Sequence, residues 1–123
     1  SLGIDFTARD LQQKCKEKGL PWEIAKSFEN SAPISTKWLE IDGVELSKLH
    51  FSLKKNGATV QNGYTSDMIF TVNQLISYIS KFMTLKTGDL IYTGTPSGVG
   101  PVAVGDVLEG YIGDEKMFEF NIK

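Results

Sequence analysis

The dipeptide Asn56-Gly57 narrows what this chain can fold into more than any other feature of the sequence. Residues 49–54 before it alternate apolar and polar side chains, which is the two-residue period of a half-buried strand. Asn-Gly is favoured in a two-residue hairpin turn, because both central residues of that turn need a positive φ. The sequence therefore predicts a β-hairpin whose returning strand begins at Ala58 and extends to Gln61.

Three more strands are predicted in the C-terminal third of the chain. Residues 90–92 are a short apolar run that follows a turn, which indicates a short buried strand. Residues 107–112 and 117–122 follow a Gly105-Asp106 turn, and the second of them alternates Phe and Ile with polar residues. The chain is thus expected to be β-rich, with several short antiparallel strands.

Two helices are predicted beside these strands. Residues 7–18 fit a helix that Thr7 caps at its start and Gly19 ends. Residues 71–82 fit a second helix, whose apolar side chains recur at helical spacing and are expected to pack on the core. The segment between residues 21 and 33 is predicted to be a loop. The expected fold class is α+β, with two short helices in one domain of residues 1–123.

Composition excludes several classes of function. The formal net charge of −2 leaves no basic surface for nucleic acid or for an anionic membrane. No stretch approaches the roughly 20 apolar residues that a membrane-spanning helix needs, and the first residues lack the pattern of a secretory signal. The single cysteine, Cys15, cannot form an internal disulfide. A cytoplasmic protein that binds neither nucleic acid nor membrane is the expectation.

Residues 93–100 form a loop with three glycines, one proline and two hydroxyl side chains near its start. Bare backbone N–H groups in such a loop can bind an anion, including a carboxylate. No Gly-Lys-Ser/Thr follows, so the loop is not a Walker loop, and its glycine spacing does not fit a dinucleotide-binding fingerprint. An anion site and a purely structural turn remain the two interpretations.

Asp5, Lys26 and His50 are the other residues whose chemistry suggests a site. Asp5 precedes the first predicted helix, where its carboxylate can bind a metal ion, cap the helix or form a salt bridge. Lys26 lies between Trp22 and Phe28, and aromatic cover could set its ammonium against an anionic substrate, although most lysines are simply exposed. His50, the only histidine, alternates with strand residues and is interpreted as a strand-surface side chain. The chain then offers no obvious general base.

Four segments, in this order, resemble the fumarylacetoacetate hydrolase family. Residues 5–12 resemble its Asp-x-Ser/Thr-Ala-Arg-Asp-x-Gln segment, and residues 19–33, with Gly-Leu-Pro-Trp and Ala-Lys-Ser-Phe, resemble the segment that follows. Residues 61–70 and 88–100 match two further segments, so the resemblance covers essentially the whole chain. The family fold that it implies is a mixed β-sandwich or roll.

The resemblance also implies a role for individual residues. Asp5 matches the carboxylate ligand of Mg²⁺ or Mn²⁺, and Gln12 matches a polar residue near the substrate oxygens. Lys26 matches the lysine that binds and polarises a 2-oxo acid. Thr95, with Gly94 beside it in the glycine-rich loop, matches the group that contacts the substrate carboxylate. Metal and lysine would together stabilise the enolate that forms when a bond next to the carbonyl breaks.

Two elements of the family's site have no counterpart in this sequence. The resemblance implies a Glu-x-Glu metal-binding pair and a His–Glu catalytic dyad upstream, and neither is present; Glu115 and Glu119 do not match that pair. We therefore expect the chain to be the C-terminal part of a longer catalytic domain, and to be inactive alone. Family members are commonly homodimers, so a homodimer is expected.

Three functions remain open on the sequence. The first is a metal-dependent hydrolase or decarboxylase that acts on C–C bonds of small 2-oxo acids, such as acylpyruvates, oxaloacetate and fumarylacetoacetate-like diketo acids. The second is an isomerase, tautomerase or hydratase of 2-hydroxy-dienoate compounds on the same scaffold. The third is a non-catalytic remnant of the fold that keeps only a carboxylate-binding loop.

Overall fold

The computed structural model describes all residues from Ser1 to Lys123. Its centre is one four-stranded antiparallel sheet in the order β2-β1-β3-β4. The chain also forms three α-helices and two short 3₁₀ helices, so the β-rich α+β prediction is confirmed. The strands are β1 (His50–Lys55), β2 (Ala58–Tyr64), β3 (Val107–Ile112) and β4 (Glu115–Asn121).

The predicted hairpin joins β1 to β2. Asn56 and Gly57 both have positive φ, 51° and 80°, as a tight hairpin turn requires. The Asn56 side chain has a second use, because its Oδ1 accepts a hydrogen bond from the Val107 amide at 2.8 Å. One residue therefore turns the hairpin and ties its tip to the start of β3.

The helices are α1 (Arg9–Lys18), α2 (Glu23–Lys26) and α3 (Val72–Ile79). Gly19 ends α1 in the left-handed conformation, as predicted, with φ of 62°. The prediction that Thr7 caps α1 was wrong. Ala8 occupies the cap position, and its methyl side chain cannot accept a hydrogen bond. The Thr7 hydroxyl accepts a hydrogen bond from Lys26 instead. The four-residue α2 lies within the segment that was expected to be a loop.

Helix α3 begins as its sequence indicates but does not pack as predicted. Thr71 and Gln74 form a reciprocal capping box at its start. No residue of the helix is buried, however, and Ile76 on its apolar side is 42% exposed. The helix ends at Ile79, so Phe82 of the predicted apolar face lies beyond it and is 71% exposed. The prediction of a core-packing helix was wrong for this chain, because periodicity defines an apolar face without defining what covers it.

Residues 90–92 are not a strand, contrary to the prediction. They carry no ladder hydrogen bonds, and Leu90 and Tyr92 are about half exposed. The Tyr92 hydroxyl instead donates a hydrogen bond to the Ala32 carbonyl at 2.8 Å. A short apolar run is compatible with a buried strand and with an extended linker. In this chain the segment is a linker, held by its contact with Ala32.

The core of the chain is small. Nine of 123 residues are buried, which leaves much of the inner face of the sheet accessible. Leu108 and Met117 are buried on the sheet, and Cys15 and Ala25 are buried where α1 meets α2. No helix in the fold combines the length and the apolar character that crossing a bilayer requires.

The N-terminal segment is held in place by a second extended segment. Ile4 donates its amide hydrogen to the Pro33 carbonyl at 2.9 Å, and Phe6 donates to Ser31 at 2.8 Å. One step along the chain, the Ala8 amide donates to the Ala25 carbonyl in α2 at 3.0 Å. These backbone contacts bring the residues just before α1 alongside α2.

A hydrogen-bonded carboxylate joins the hairpin tip to β3, and it should make stability depend on pH. Asp106 accepts hydrogen bonds from the Ala103 amide at 2.9 Å and from the Asn56 side chain at 2.8 Å. These bonds, the Ala103 amide foremost, hold the pKa of the Asp106 carboxyl below its usual value. A lowered folded-state pKa adds stability above the unfolded pKa of about 3.9, and this stability is lost as the pH falls through the folded pKa.

We therefore expect Asp106→Asn to lower the urea unfolding midpoint at pH 7 and to flatten its decline below about pH 4. The amide keeps one acceptor oxygen but cannot accept at both positions. The measurement is urea unfolding between pH 7 and pH 3. Asp114→Asn is the matched control, since the Asp114 carboxylate makes no hydrogen bond or ion pair. Equal acid dependence in wild type and Asp106→Asn would contradict the assignment.

Candidate functional site

One cleft of about 750 Å³ lies between the N-terminal segment, the glycine-rich loop and the inner face of the sheet. Four of the five residues that the sequence singled out line it, namely Asp5, Lys26, Gly94 and Thr95. They are distant in sequence. Asp5 and Lys26 meet because residues 1–7 pair with the segment that follows α2, and Thr95 is held by a hydrogen bond from Gln61 in β2. The inner face of the sheet contributes the apolar floor, with Phe51, Leu53, Leu108 and Phe118.

Asp5 and Lys26 form an ion pair within the cleft. The Lys26 Nζ donates to Asp5 Oδ2 at 2.7 Å and to Thr7 Oγ1 at 2.8 Å. Both charged groups keep access to solvent, with 33% of the Lys26 side chain and 46% of the Asp5 side chain exposed. An ammonium has three hydrogens, so one N–H of Lys26 is left for another acceptor.

The charge of the cleft favours an anion. Asp5 is the only acidic residue in its lining, which also holds Arg9, Lys26 and Lys55. Lys55 is already engaged, since its Nζ lies 3.0 Å from the Pro101 carbonyl and 3.6 Å from Asp106. Arg9 has no acidic partner. Two cations thus remain near Asp5, one paired with it and one not.

The carboxylate of Asp5 suits one coordination position of a divalent metal ion. Mg²⁺ and Mn²⁺ prefer carboxylate and other oxygen ligands, and the Lys26 ammonium already shows that a cation is held between Asp5 and Thr7. Nowhere in the chain do three His, Cys, Asp or Glu residues come together as a metal-binding group. Asp5 therefore fits as a single ligand, and these residues do not make a complete shell.

The glycine-rich loop is fastened onto strand β2. The Gln61 side chain donates from Nε2 to Thr95 Oγ1 at 2.9 Å and to the Pro96 carbonyl at 3.1 Å. Because Thr95 Oγ1 accepts this bond, its own hydrogen stays free to donate. Gly98 approaches the strand so closely that a Cβ there would lie 2.0 Å from the Val60 carbonyl oxygen. Sequence reasoning assigned no role to Gln61, because its partners are 34 and 35 residues away.

Gln12 is the predicted site residue that does not line the cleft. It is buried, with 7% exposed, and its Oε1 accepts a hydrogen bond from Arg9 Nη1 at 3.0 Å. Arg9 does line the cleft, so Gln12 reaches the site through the guanidinium that it holds. Sequence reasoning overlooked Arg9, although it lies in the same short segment as Asp5 and Gln12.

Tyr92 is a second cleft residue that sequence reasoning overlooked. Burial, and then the nearby Asp5 charge, raise the pKa of its phenol, so the hydroxyl stays protonated and donates to Ala32. The ring passes over the backbone at Gly3, where a Cβ would lie 3.0 Å from the Tyr92 hydroxyl oxygen. Tyr92 thereby links the segment that carries Asp5 to the start of the glycine-rich loop.

The remaining expectations concern His50 and the aromatic residues near Lys26. His50 is outside the cleft, where its Nε2 lies 2.5 Å from Asn62 Oδ1 and its ring lies 4.9 Å from that of Tyr64. The strand-surface interpretation of His50 is confirmed. Trp22 and Phe28 do not line the cleft and are 44% and 41% exposed. Asp5 and Thr7, and not aromatic rings, are what Lys26 bonds to.

Comparison with known proteins assigns the chain to a family. Residues 1–120 match the family model described as "Fumarylacetoacetate (FAA) hydrolase C-terminal". Over all 123 residues the chain is 46% identical to oxaloacetate tautomerase FAHD1, mitochondrial, of Mus musculus, of which it covers 56%. The chain thus spans about half the length of the curated relatives it matches.

Solved structures agree on the fold. A fumarylacetoacetate hydrolase family protein from Yersinia pestis superposes with a TM-score of 0.91 at 40% identity, over 98% of this chain and 55% of that one. Fumarylpyruvate hydrolase from Pseudomonas aeruginosa, solved in complex with Mn²⁺ and pyruvate, superposes with a TM-score of 0.83 at 40% identity, over 89% of this chain and 47% of that one. The predicted family fold is confirmed, and the chain belongs to the fumarylacetoacetate hydrolase family.

Proposed function

We propose that this chain is the C-terminal part of a catalytic domain that acts, with a divalent metal, on small 2-oxo acids. The substrates would be acylpyruvates, oxaloacetate or fumarylacetoacetate-like diketo acids, and the bond broken would be a C–C bond next to the carbonyl. One observation carries the proposal: Asp5, Lys26 and the glycine-rich loop line the same cleft, although 90 residues separate the first from Thr95.

Lys26 is proposed to hold the oxygen of the 2-oxo group. Its ammonium has a third hydrogen beyond those given to Asp5 and Thr7, and it can donate this hydrogen to the carbonyl. As negative charge develops on that oxygen, a charge-assisted hydrogen bond becomes stronger, which lowers the barrier to enolate formation. Lys26 therefore stabilises the transition state more than the bound substrate.

The glycine-rich loop is proposed to bind the substrate carboxylate. Thr95 can donate its hydroxyl hydrogen, and the backbone beside Gly94 has no side chain to keep a ligand at a distance. Arg9 supplies further positive charge, oriented by the buried Gln12. Lysine, loop and guanidinium together fix an anionic 2-oxo acid in one orientation.

Asp5 is proposed as one ligand of Mg²⁺ or Mn²⁺. When bound, the metal supplies Lewis-acid polarisation of substrate oxygens. The Mn²⁺ and pyruvate in the Pseudomonas aeruginosa relative support a metal together with a 2-oxo acid at this kind of site. Asp5 alone cannot complete an octahedral shell, so further ligands and the general base are proposed to come from the part of the protein outside these 123 residues. The chain alone should then be inactive.

Two features of the whole protein are proposed as well. A homodimer follows from the family resemblance. A cytoplasmic location follows from the single buried thiol of Cys15, which suits a reducing compartment. The mouse relative is named as mitochondrial, so localisation of the full-length protein by microscopy is the direct measurement.

Tautomerase or isomerase activity on the same substrates is the second candidate function. It is favoured by the 46% identity, over the whole chain, to a protein named oxaloacetate tautomerase. Both reactions pass through an enolate, and they differ in whether a C–C bond then breaks. Supplying oxaloacetate to the full-length protein separates them: pyruvate release indicates cleavage, whereas enol–keto interconversion without pyruvate indicates a tautomerase. If neither occurs with any 2-oxo acid, the chain is a binding module.

Substitution of Lys26 is the experiment that tests the proposed function. In the full-length protein, we expect Lys26→Ala to lower kcat/KM by about 30- to 1,000-fold, which corresponds to losing about 2–4 kcal/mol of oxyanion-type stabilisation. Lys26→Arg should recover only part of this loss, because a planar guanidinium does not reproduce a compact ammonium. The measurement is steady-state kinetics on acylpyruvate and oxaloacetate.

Lys14→Ala is the matched control for that experiment. Lys14 is exposed on α1 and makes no ion pair, so the variant removes one positive charge without touching the cleft. Its kinetics should equal those of the wild type. Wild-type kcat/KM in Lys26→Ala would remove Lys26 from the site.

A further inference from the structure

Lys26 and Asp5 form an ion pair, although the proposed function has them bind two different ligands. Lys26 would bind the substrate and Asp5 the metal, yet they bind each other at 2.7 Å. Lys26 also donates to Thr7 at 2.8 Å, so two of its three hydrogens point at the metal side of the cleft. The ammonium of Lys26 therefore occupies one of the two carboxylate oxygens of Asp5.

We propose that Lys26 is a stand-in cation for the metal at Asp5, and that metal binding releases its ammonium to the substrate. This inference rests on the proposed function, because it takes Asp5 as a metal ligand and Lys26 as a substrate-binding residue. The consequence is an order of binding: the metal binds first, and Lys26 then holds a 2-oxo acid with the N–H that it had given to Asp5 as well as with its third N–H.

Electrostatics makes the two cations competitors. A divalent ion on the free oxygen of Asp5 and the ammonium on the other oxygen would repel each other at about 4 Å, a distance at which charges still interact in water. The metal has twice the charge and needs the carboxylate as a ligand, whereas the ammonium is a partly exposed partner held weakly. The equilibrium therefore moves Lys26, and not the metal, away from Asp5.

The cleft offers the released ammonium no other acid. Asp5 is the only acidic residue in the lining, and the side chains of its other cations, Arg9 and Lys55, cannot accept a hydrogen bond from Lys26. A substrate carboxylate or carbonyl oxygen is then the acceptor that remains within the cleft, besides Thr7. Release from Asp5 thus raises the affinity of the cleft for an anion as well as its reactivity.

Metal affinity is the first test. Mn²⁺ binding to the full-length protein is measured by the loss of the free-ion EPR signal, without substrate. Lys26→Gln removes the competing cation and should tighten Mn²⁺ binding about two- to fivefold, the range for a partly exposed ion pair. Lys55→Gln is the matched control, since it removes a cleft cation that is bonded to Pro101 and Asp106. It should change Mn²⁺ affinity less than twofold. Unchanged or weaker binding in Lys26→Gln, or equal tightening in both variants, overturns the proposal.

Pyruvate binding is the second test, measured by ligand-observed NMR with Mg²⁺ and with EDTA. With EDTA, Lys26 is held by Asp5 and Thr7 and has one N–H left, so wild type should bind pyruvate only slightly more tightly than Lys26→Gln. With Mg²⁺, the wild type should bind pyruvate several-fold more tightly than Lys26→Gln. The same ratio of affinities in both conditions would show that the metal does not release Lys26 from Asp5 and would overturn the proposal. If Asp5→Ala leaves Mn²⁺ affinity unchanged, the proposed metal ligand fails instead, so the two failures are distinguishable.

Discussion

Replacing Asp5 with alanine is expected to weaken Mn²⁺ binding to the full-length protein by on the order of 100-fold or more and to abolish turnover. Removing a residue that only orients a metal ligand already lowers metal affinity about 10- to 100-fold. Removing a direct ligand should lower the affinity at least as much. The substitution also leaves Lys26 without its ion-pair partner. Mn²⁺ affinity by EPR and kcat/KM on oxaloacetate or an acylpyruvate are the measurements.

Two variants separate the ligand role of Asp5 from its negative charge. Asp10→Ala is the matched control, because Asp10 is exposed in the first turn of α1 and makes no ion pair. It should leave metal affinity and turnover unchanged. Asp5→Asn keeps one oxygen donor without the charge, and it should give metal affinity between those of wild type and Asp5→Ala. Wild-type affinity and activity in Asp5→Ala would exclude Asp5 from the site.

Replacing Gly98 with alanine is expected to raise KM for a 2-oxo acid at least tenfold and to lower stability by about 1–3 kcal/mol, the usual cost of a non-glycine residue at such a φ. The φ of Gly98 is +96°, and a Cβ there would lie 2.0 Å from the Val60 carbonyl oxygen. The Val60 carbonyl belongs to the backbone of β2 and cannot shift far enough to relieve this clash. The glycine-rich loop must therefore move away from β2. Thr95 would move with it and lose the hydrogen bond from Gln61.

Two other glycines of the loop are matched controls for that prediction. A Cβ at Gly100 would meet nothing within 4 Å, and its φ is not in the left-handed region, so Gly100→Ala should match the wild type. Gly94 has φ of +116° but open space around it, so Gly94→Ala should lose stability through backbone strain without a clash. Thermal unfolding and KM are measured for all three variants. Equal effects in Gly98→Ala and Gly100→Ala would mean that the close approach to β2 has no role.

Local features of the fold followed from sequence because their causes are local. Asn56 and Gly57 turn the hairpin, and Gly19 ends α1, since each supplies a backbone conformation that few residues adopt. The capping box of Thr71 and Gln74 likewise depends only on residues three apart. Such signals need no knowledge of the rest of the chain.

Features that depend on a distant partner did not follow. The periodicity of α3 indicated a helix correctly but not that its apolar side would stay exposed. Thr7 has the side chain of a helix cap, but Lys26, 19 residues away, uses its hydroxyl. Residues 90–92 have the composition of a buried strand, and the Tyr92 contact with Ala32 holds them as a linker instead. In each case the competing interaction joins residues remote in sequence.

For the candidate site, the sequence by itself determined which residues carry the chemistry and, through ordered motifs, the family. A carboxylate, a lysine and a glycine-rich loop can be identified from residue type and spacing alone. Only the tertiary structure decided that they share one cleft, that Lys26 is paired with Asp5, and that Gln12 acts through Arg9. The physical reason is that these contacts arise from chain segments that pair and pack through space, and a hydrogen bond between residues 21 apart leaves no periodic trace in the sequence.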